Sequence, residues 1–203
     1  MPVSHSIRVK WFEEAEDSSL SSRTKAERDR DYYDGKQLTS AEIKELTKRG
    51  QPPVVINRIK RKVDFLTGSE VQTRTDPKAF PRNQQDQGAS EAATDAIRFV
   101  ADNNRYESIR SDVWENMVIE GFGGAEVNVR QARRGPEITI KYIPWDRLFY
   151  DPHSAHRNFS DAKYKGVVIW MDAADAILKW PKARDLIETT LNSATTAETY
   201  DDR

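Results

Sequence analysis

The chain has 203 residues, of which 37% are hydrophobic and 32% charged, and its 32 Lys and Arg residues nearly balance its 33 Asp and Glu residues. This length fits one or two domains with a substantial core. The near-neutral balance argues against a dedicated nucleic-acid binder, which is usually basic over a whole face. The absence of cysteine excludes disulfides and cysteine metal sites and fits an intracellular origin, and no apolar run suits a signal peptide or a membrane span, so no membrane partner is expected.

The N-terminal part of the chain is predicted to be a flexible arm followed by charged helices. Residues 1–24 are polar with isolated apolar groups, which indicates the arm. A charged helix is predicted over residues 25–33, with Gly35 as its stop. Thr39 and Glu42 have the spacing of a capping box, in which each side chain bonds the backbone N–H of the other residue. A second helix is therefore expected to begin at this point and to end near Gly50.

A basic helix is predicted after the Pro52-Pro53 dipeptide, which forces an extended link. Its apolar positions follow a helical spacing: Ile56, Ile59, Val63 and Leu66. The cations interleaved with them are Arg58, Lys60, Arg61 and Lys62. One face can therefore pack while a cationic edge stays in water. The cations either contact phosphate backbones without reading sequence or form a solvated face or ion pairs between subunits. The second interpretation is favoured because no aromatic residue interleaves them.

The remaining elements follow from periodicity and turn residues. A proline-bounded loop or arm at residues 74–87 precedes two helices, over residues 90–103 and 106–117. Alternating apolar residues on either side of a turn at residues 133–136 predict a β-hairpin. After the hairpin, the predicted elements are a short strand, a more buried strand and a helical region divided by a proline, over residues 148–150, 165–171 and 172–191.

This order predicts an α+β fold, with a helical N-terminal half, then a β-hairpin or small antiparallel sheet, and a short helical end. One domain is expected over residues 25–191. Its helical, β-rich and second helical parts are expected over residues 25–120, 121–171 and 172–191. Residues 192–203 are polar and are expected to be a frayed tail.

The glycine-rich segment at residues 121–124 could be a phosphate loop, but a helix stop explains it better. A dinucleotide-binding loop has the order strand, glycines, helix, whereas the predicted order here is helix, glycines, strand. No Lys-Ser or Lys-Thr pair follows, which argues against a P-loop. Structural roles are therefore assigned to the three glycines and to the corner that follows the hairpin: Gly121, Gly123, Gly124, Pro144 and Trp145.

Four residues of one polar segment have side chains that could bind a metal: Asp151, His153, His156 and Asp161. Their spacing matches no established site, so surface positions are favoured. No Gly-x-Ser-x-Gly nucleophile elbow occurs, and no carboxylate stands in an apolar setting that would raise its pKa. The sequence therefore assigns no catalytic residue, metal or cofactor, and no enzymatic activity.

The tip of the hairpin carries Arg133 and Arg134, which have the same two interpretations as the basic helix. Two alternatives to a structural protein remain open at this point. One is a non-specific nucleic-acid-binding module that uses the basic helix and the hairpin tip, for which tight and salt-sensitive DNA binding is expected. The other is a hydrolase or metal enzyme that uses the loop at residues 151–161.

Five short sequence motifs follow one another in a distinctive order between about residue 27 and about residue 181. They are YYDGKQ at residues 32–37, RGQPPVVINRI at 49–59, the segment at 68–77, EGFGG at 120–124, and IPWDR at 143–147 leading to YDP at 150–152. Together they resemble the N-terminal wing region of portal proteins of tailed double-stranded DNA bacteriophages, in particular those of short-tailed phages.

The resemblance implies a structural, non-enzymatic subunit of a ring, usually of twelve copies, at one vertex of the capsid. DNA enters and leaves through this ring without sequence-specific contacts. The terminase docks on it during genome packaging and the head-to-tail adaptor afterwards, and it also contacts the major capsid and scaffolding proteins. The implied location is the virion, after assembly in the bacterial host cytoplasm. Portal subunits are much longer than 203 residues, so the stem, clip and crown regions are expected to lie beyond Arg203.

Overall fold

The computed structural model describes residues 3–133, 135–156 and 158–192, and within them the chain is mixed α+β, as predicted. The helices are α1 (His5–Tyr33), α2 (Ser40–Lys48), α3 (Arg58–Gln72), α4 (Gln87–Asn103), α5 (Tyr106–Ile119), α6 (Ala173–Lys179) and α7 (Arg184–Asn192). The strands are β1 (Gly124–Ala132), β2 (Gly135–Ile143), β3 (Leu148–Tyr150) and β4 (Lys165–Val167). Among these helices, none is both long and apolar enough to cross a membrane.

The chain forms two compact units. One unit runs from Asp17 to Trp145 and contains most of α1, the helices α2 to α5 and the β1–β2 hairpin. The other unit combines the residues up to Glu16 with those from Asp146 onwards, so it contains β3, β4, α6 and α7. Each unit has its own packing contacts.

Helix α1 begins at His5, so the prediction that residues 1–24 form an arm and that the helix begins at residue 25 placed this start too late. The segment lacks a continuous apolar stripe, and periodicity alone therefore did not indicate a helix. Its first turns pack against aromatic residues that lie far along the chain. Trp11 stacks on Tyr164 with ring centroids 5.0 Å apart, and Phe12 meets Phe149 edge-on at 5.3 Å.

Helix α2 begins with the predicted capping box. The backbone N–H of Glu42 donates to the Thr39 hydroxyl at 3.3 Å, and the backbone N–H of Thr39 donates to Oε2 of Glu42 at 2.7 Å. These bonds satisfy donors that the first turn of a helix otherwise leaves unpaired. Gly50 follows the helix with a φ of 70°, a conformation that glycine adopts without strain.

Helix α4 begins at Gln87, three residues before the predicted cap at Ser90. The start is earlier because a 3-10 turn over Gln84–Asp86 leads directly into the helix. The Ser90 hydroxyl lies inside the first turn and donates to the Gln87 carbonyl at 2.8 Å. Ahead of this turn, the backbone N–H of Ala79 donates to the buried Thr94 hydroxyl at 3.1 Å, which ties the predicted loop to α4.

The glycines after α5 end the helix and allow the next strand to pack close to it, in the predicted order of helix, glycines and strand. Gly121 has a φ of 78°, the left-handed conformation that commonly follows a helix. A Cβ atom at Gly123 would lie 2.5 Å from the carbonyl oxygen of Val113. A larger residue would therefore push the strand away from α5. Gly124 is the first residue of β1.

The β1–β2 hairpin is antiparallel, as predicted. Val127 lies opposite Ile140 and Val129 opposite Ile138, so one face of the hairpin is apolar. The Asn104 side chain bridges the outer edge of β2, because its Nδ2 donates to the Ile138 carbonyl at 3.0 Å and its Oδ1 accepts from the Ile140 N–H at 2.8 Å. Val127 and Val129 on β1 remain 69% and 64% exposed.

Strand β4 is shorter and less buried than the prediction over residues 165–171. Its partner β3 has only three residues, and beyond Val167 the pairing continues with one bond, from the Val168 N–H to the Arg147 carbonyl at 2.8 Å. The apolar residues that follow are exposed: Ile169, Trp170 and Met171. The last helical region begins after Asp172 and is divided at Pro181, as predicted. The predicted frayed tail lies outside the described residues, apart from Asn192, where α7 ends.

Candidate functional site

The predicted basic helix is α3, and most of its cations lie on its outward face. Four exposed residues of this face line one shallow hollow and are called the α3 strip: Arg58, Arg61, Lys62 and Phe65. Helical spacing places them opposite Val63 and Glu70, the two buried residues of the helix. In the part of the chain that the structure describes, none of the three cations has an ion-pair partner.

Three details of the predicted basic helix differ from expectation. Lys60 lies on another side of the helix, where its ammonium is 5.3 Å from the ring centroid of Tyr33. Ile56 precedes the helix and is 77% exposed, so it does not belong to the packing face. Phe65 is 74% exposed and lies beside the cations, one turn after them. It lies next to the cations in space, although it does not interleave them in sequence.

The N-terminus of α3 is fixed to the end of α1 by Asn57. Its Oδ1 accepts from the Lys60 N–H at 3.0 Å, and its Nδ2 donates to the carbonyl oxygens of Tyr32 and Tyr33 at 3.1 and 2.7 Å. One side chain thus caps α3 and satisfies the last carbonyls of α1. The Tyr33 hydroxyl donates to Asp64 at 2.9 Å, and burial together with this bond raises the pKa of Tyr33 to about 12.

The C-terminal end of α3 is fixed to α5 by Glu70. Arg74 forms two hydrogen bonds with this carboxylate, at 3.1 and 3.0 Å, and Arg110 of α5 approaches it at 2.8 Å. The Ser111 hydroxyl also donates to it, at 3.3 Å. The Glu70 side chain is only 7% exposed. The hydrogen bonds from Arg74 lower the pKa of Glu70, so it is an anion that holds two helices together.

A second ion network joins α1 to α5 and β2. Arg30 donates to Glu120 at 2.5 Å, to Glu115 at 3.0 Å and to the Asn116 side-chain oxygen at 3.0 Å. Asn116 in turn donates to the hydroxyl of Tyr142 on β2. The Glu120 side chain is completely covered, and its second oxygen has no hydrogen-bond partner in the part of the chain that the structure describes. Burial raises the pKa of Glu120 to about 7, although Arg30 acts in the opposite direction. The expectation that no carboxylate has a raised pKa was therefore wrong.

Glu120 is expected to make the fold less stable as the pH rises. The folded state keeps a proton that the unfolded state releases above pH 4.5, so this contribution is complete below pH 4.5 and is lost as the pH passes about 7. The difference between the two pKa values corresponds to about 3 kcal/mol of unfolding free energy. Urea unfolding at several pH values from 4.5 to 8 measures this slope, and Glu120→Gln is expected to remove it. An unchanged slope in the variant would contradict the assignment. Carboxylates with a lowered pKa, such as Glu70, change the stability at pH values below the range from 4.5 to 8.

The acidic residues of the loop at residues 151–161 organise its backbone. Asp151 accepts from the backbone N–H groups of His153 and Lys163 at 2.9 and 3.1 Å. Asp161 accepts from the Ser154 hydroxyl at 2.6 Å and from the Ala155 N–H at 2.7 Å, and these bonds lower its pKa to about 2. Among the described residues, no group of three or more His, Asp or Glu side chains is arranged to hold a metal ion.

The other residues singled out in the sequence do not join the α3 strip. Arg133 is exposed at the turn of the hairpin and does not line the hollow. Arg134 lies outside the described residues. Pro144 and Trp145 are half-buried at the corner between β2 and β3, where the boundary between the two units falls.

The sequence interpretation did not identify Glu70 or Arg30, although the residues around Glu70 indicate its role. Glu70 follows Val63 by seven residues, on the apolar face of α3, and precedes Arg74 by four residues. A carboxylate on a packing face with a cation one turn later indicates a buried ion pair. Arg30 left no local signal, because its partner Glu120 lies 90 residues away in sequence.

The described residues contain ion-paired helix junctions, an exposed cationic helix face with an aromatic group, and a hairpin with an exposed apolar strand. The chain belongs to the Phage P22-like portal protein family, whose model matches residues 9–203. It is also similar to the portal protein of Helicobacter pylori bacteriophage KHP30, with 24% identity over 148 residues that cover 72% of this chain and 25% of that protein. The chain thus spans a quarter of the length of this curated relative.

Proposed function

We propose that this chain is part of the wing region of a portal subunit, a structural protein that assembles into a ring at one vertex of a phage capsid. The ring is the conduit for DNA, on which the terminase docks during packaging and the head-to-tail adaptor afterwards. The observation that carries this proposal is the match of the portal family model to residues 9–203. The similar protein of bacteriophage KHP30 is itself named a portal protein.

The distribution of apolar side chains supports a protein that works inside an assembly. Over the described ranges, the buried hydrophobic residues are few: Ala15, Ala26, Val63, Ile119 and Ile143. Many large hydrophobic residues are instead more than half exposed, among them Val54, Ile56, Phe65, Phe80 and Phe99. Monomeric soluble proteins rarely leave extended apolar patches uncovered, so contacts with other subunits are the natural use of this surface.

The finer assignments belong to the same proposal. The complete ring contains about twelve copies, contacts the major capsid and scaffolding proteins, and touches double-stranded DNA without reading its sequence. It is assembled in the host cytoplasm and resides in the virion. This role requires no catalytic residue, metal or cofactor, because the proposed contribution of the chain is a rigid surface for assembly.

Light scattering at matched concentration tests the proposal on this chain and on the complete product of its gene. A ring formed by the complete product, with a monomer for this chain, supports the portal role and places the ring contacts beyond Arg203. Rings from both place those contacts within this chain. Monomers from both overturn the proposed role.

A second candidate function, non-specific nucleic-acid binding by the isolated chain, is favoured by one observation. Phe65 lies beside three exposed cations, and aromatic groups next to cations are common on nucleic-acid surfaces. Titration with double-stranded DNA at 50 and 200 mM salt tests it. Tight binding that weakens by orders of magnitude at the higher salt would support this candidate, whereas weak binding at both favours the portal role.

A further inference from the structure

Helix α4 carries a second strip that mirrors the α3 strip with opposite charge. Four exposed residues of its outward face are called the α4 strip: Glu91, Asp95, Phe99 and Asp102. Their spacing of four, four and three residues places them along one side of the helix. Phe99 is 67% exposed. Within the described ranges, none of the three carboxylates has an ion-pair partner.

The two strips match each other in composition. Each contains three charges of one sign and one exposed phenylalanine; exposed Arg98, which pairs with Asp76 at 3.9 Å, borders the α4 strip on one side. Both helices belong to the same unit, and both contact α5. The strips are therefore distinct surfaces of the same unit, and neither can pair with its own copy because like charges repel.

We infer that the α3 strip of one copy docks on the α4 strip of a second copy of this chain. In such a contact, cations face carboxylates and two exposed phenylalanines lose water contact together. Because the two surfaces differ, the contact is head-to-tail, the kind that generates a closed ring when the rotation between copies is suitable. The inference rests on the proposed portal function and adds the surfaces that meet.

A second copy explains more of the surface than a nucleic acid does. A phosphate backbone would neutralise the α3 strip but could not pair with the carboxylates of the α4 strip. It would therefore leave Phe99 and its three acidic neighbours without a role. A partner that carries both strips satisfies both surfaces at once.

Charge reversal on each strip tests the inference on the complete gene product. Arg61→Glu with Lys62→Glu reverses the α3 strip, and Glu91→Lys with Asp95→Lys reverses the α4 strip. Each pair of changes places like charges against each other and is expected to weaken association at least about thirtyfold in sedimentation velocity. The four changes together in one chain restore opposite charges and are expected to recover most of the association. A mixture of the two reversed proteins is expected to associate where neither does alone.

Matched controls separate this contact from general effects of charge. Lys44→Glu with Lys48→Glu on α2 changes the net charge by the same amount as the α3 pair of changes, at two exposed lysines, and no change in association is expected. Circular dichroism tests whether each variant is folded. Recovery of association in the four-change protein would show independently that these substitutions do not prevent folding.

The outcomes distinguish the docking contact from the portal role. Normal association of both reversed proteins, or no recovery in the four-change protein, overturns the inference and leaves the portal role intact. Loss of DNA binding without loss of association also overturns it and assigns the α3 strip to nucleic acid. A wild-type complete product that never associates overturns the portal role itself.

Discussion

Replacing Arg30 by methionine is expected to lower the free energy of unfolding by about 3–5 kcal/mol at pH 8. Methionine keeps most of the side-chain length but removes every hydrogen bond to Glu115, Asn116 and Glu120. The largest cost comes from Glu120, which stays covered with no cation beside it and at pH 8 must either remain ionised there or take up a proton. Urea unfolding followed by circular dichroism measures the loss.

The pH dependence of this loss identifies its cause. At pH 5 Glu120 is protonated in the folded state, since its pKa is raised to about 7, so the loss is expected to be clearly smaller than at pH 8. Adding Glu120→Gln to Arg30→Met is expected to recover part of the stability at pH 8. Arg28→Met is the matched control on the same helix, where the exposed pair with Asp29 contributes about 1 kcal/mol or less. An equal loss at both pH values would contradict the burial of an unpaired charge.

Replacing Glu70 by alanine is expected to cost about 2–4 kcal/mol of unfolding free energy. The change removes two hydrogen bonds from Arg74, which is 19% exposed, and takes the carboxylate from Arg110. Arg74 keeps its contacts with the Ser111 hydroxyl and, at 3.6 Å, with Glu107. The expected cost is below that of Arg30→Met because Arg110 is 37% exposed and can turn to water. Thermal and urea unfolding at pH 7 measure it.

The exposed pair of Glu45 and Arg49 supplies the control for Glu70. It has the same chemistry and the same spacing of four residues, but both side chains are more than half exposed. Glu45→Ala is therefore expected to cost about 0.5 kcal/mol or less. Hydrogen exchange adds a local readout, since Glu70→Ala is expected to loosen α3 first at its C-terminal end. Equal losses of unfolding free energy in the two alanine variants would show that the burial of Glu70 adds nothing to the contribution of its ion pair.

The sequence predicted the parts of the fold that short-range chemistry determines. The capping box at Thr39 and Glu42 forms within four residues, and the helix stop at Gly121 needs only a positive φ. The β1–β2 hairpin follows from an alternation of apolar residues on either side of a short turn. In each case the residues that decide the conformation are neighbours in sequence.

The elements that were not predicted correctly depend on contacts between residues that lie far apart in the sequence. The first turns of α1 pack through Trp11 and Phe12 against residues more than 130 positions later. The length of β4 was overestimated because it is limited by its short partner strand. The four basic residues of the candidate site were identified by composition, but helix geometry was needed to separate Lys60 from the others and to bring Phe65 among them.

The Asn104 side chain limits how copies of this hairpin can pair with one another through their strand edges. By bonding the Ile138 carbonyl and the Ile140 N–H, it occupies the middle of the outer edge of β2. The outer edge of β1 is partly occupied as well, since the Val129 N–H donates to Asn128 Oδ1 at 2.8 Å. Continuous stacking into a fibre requires two free edges per hairpin, so two side-chain amides disfavour amyloid-like growth when many copies are close together.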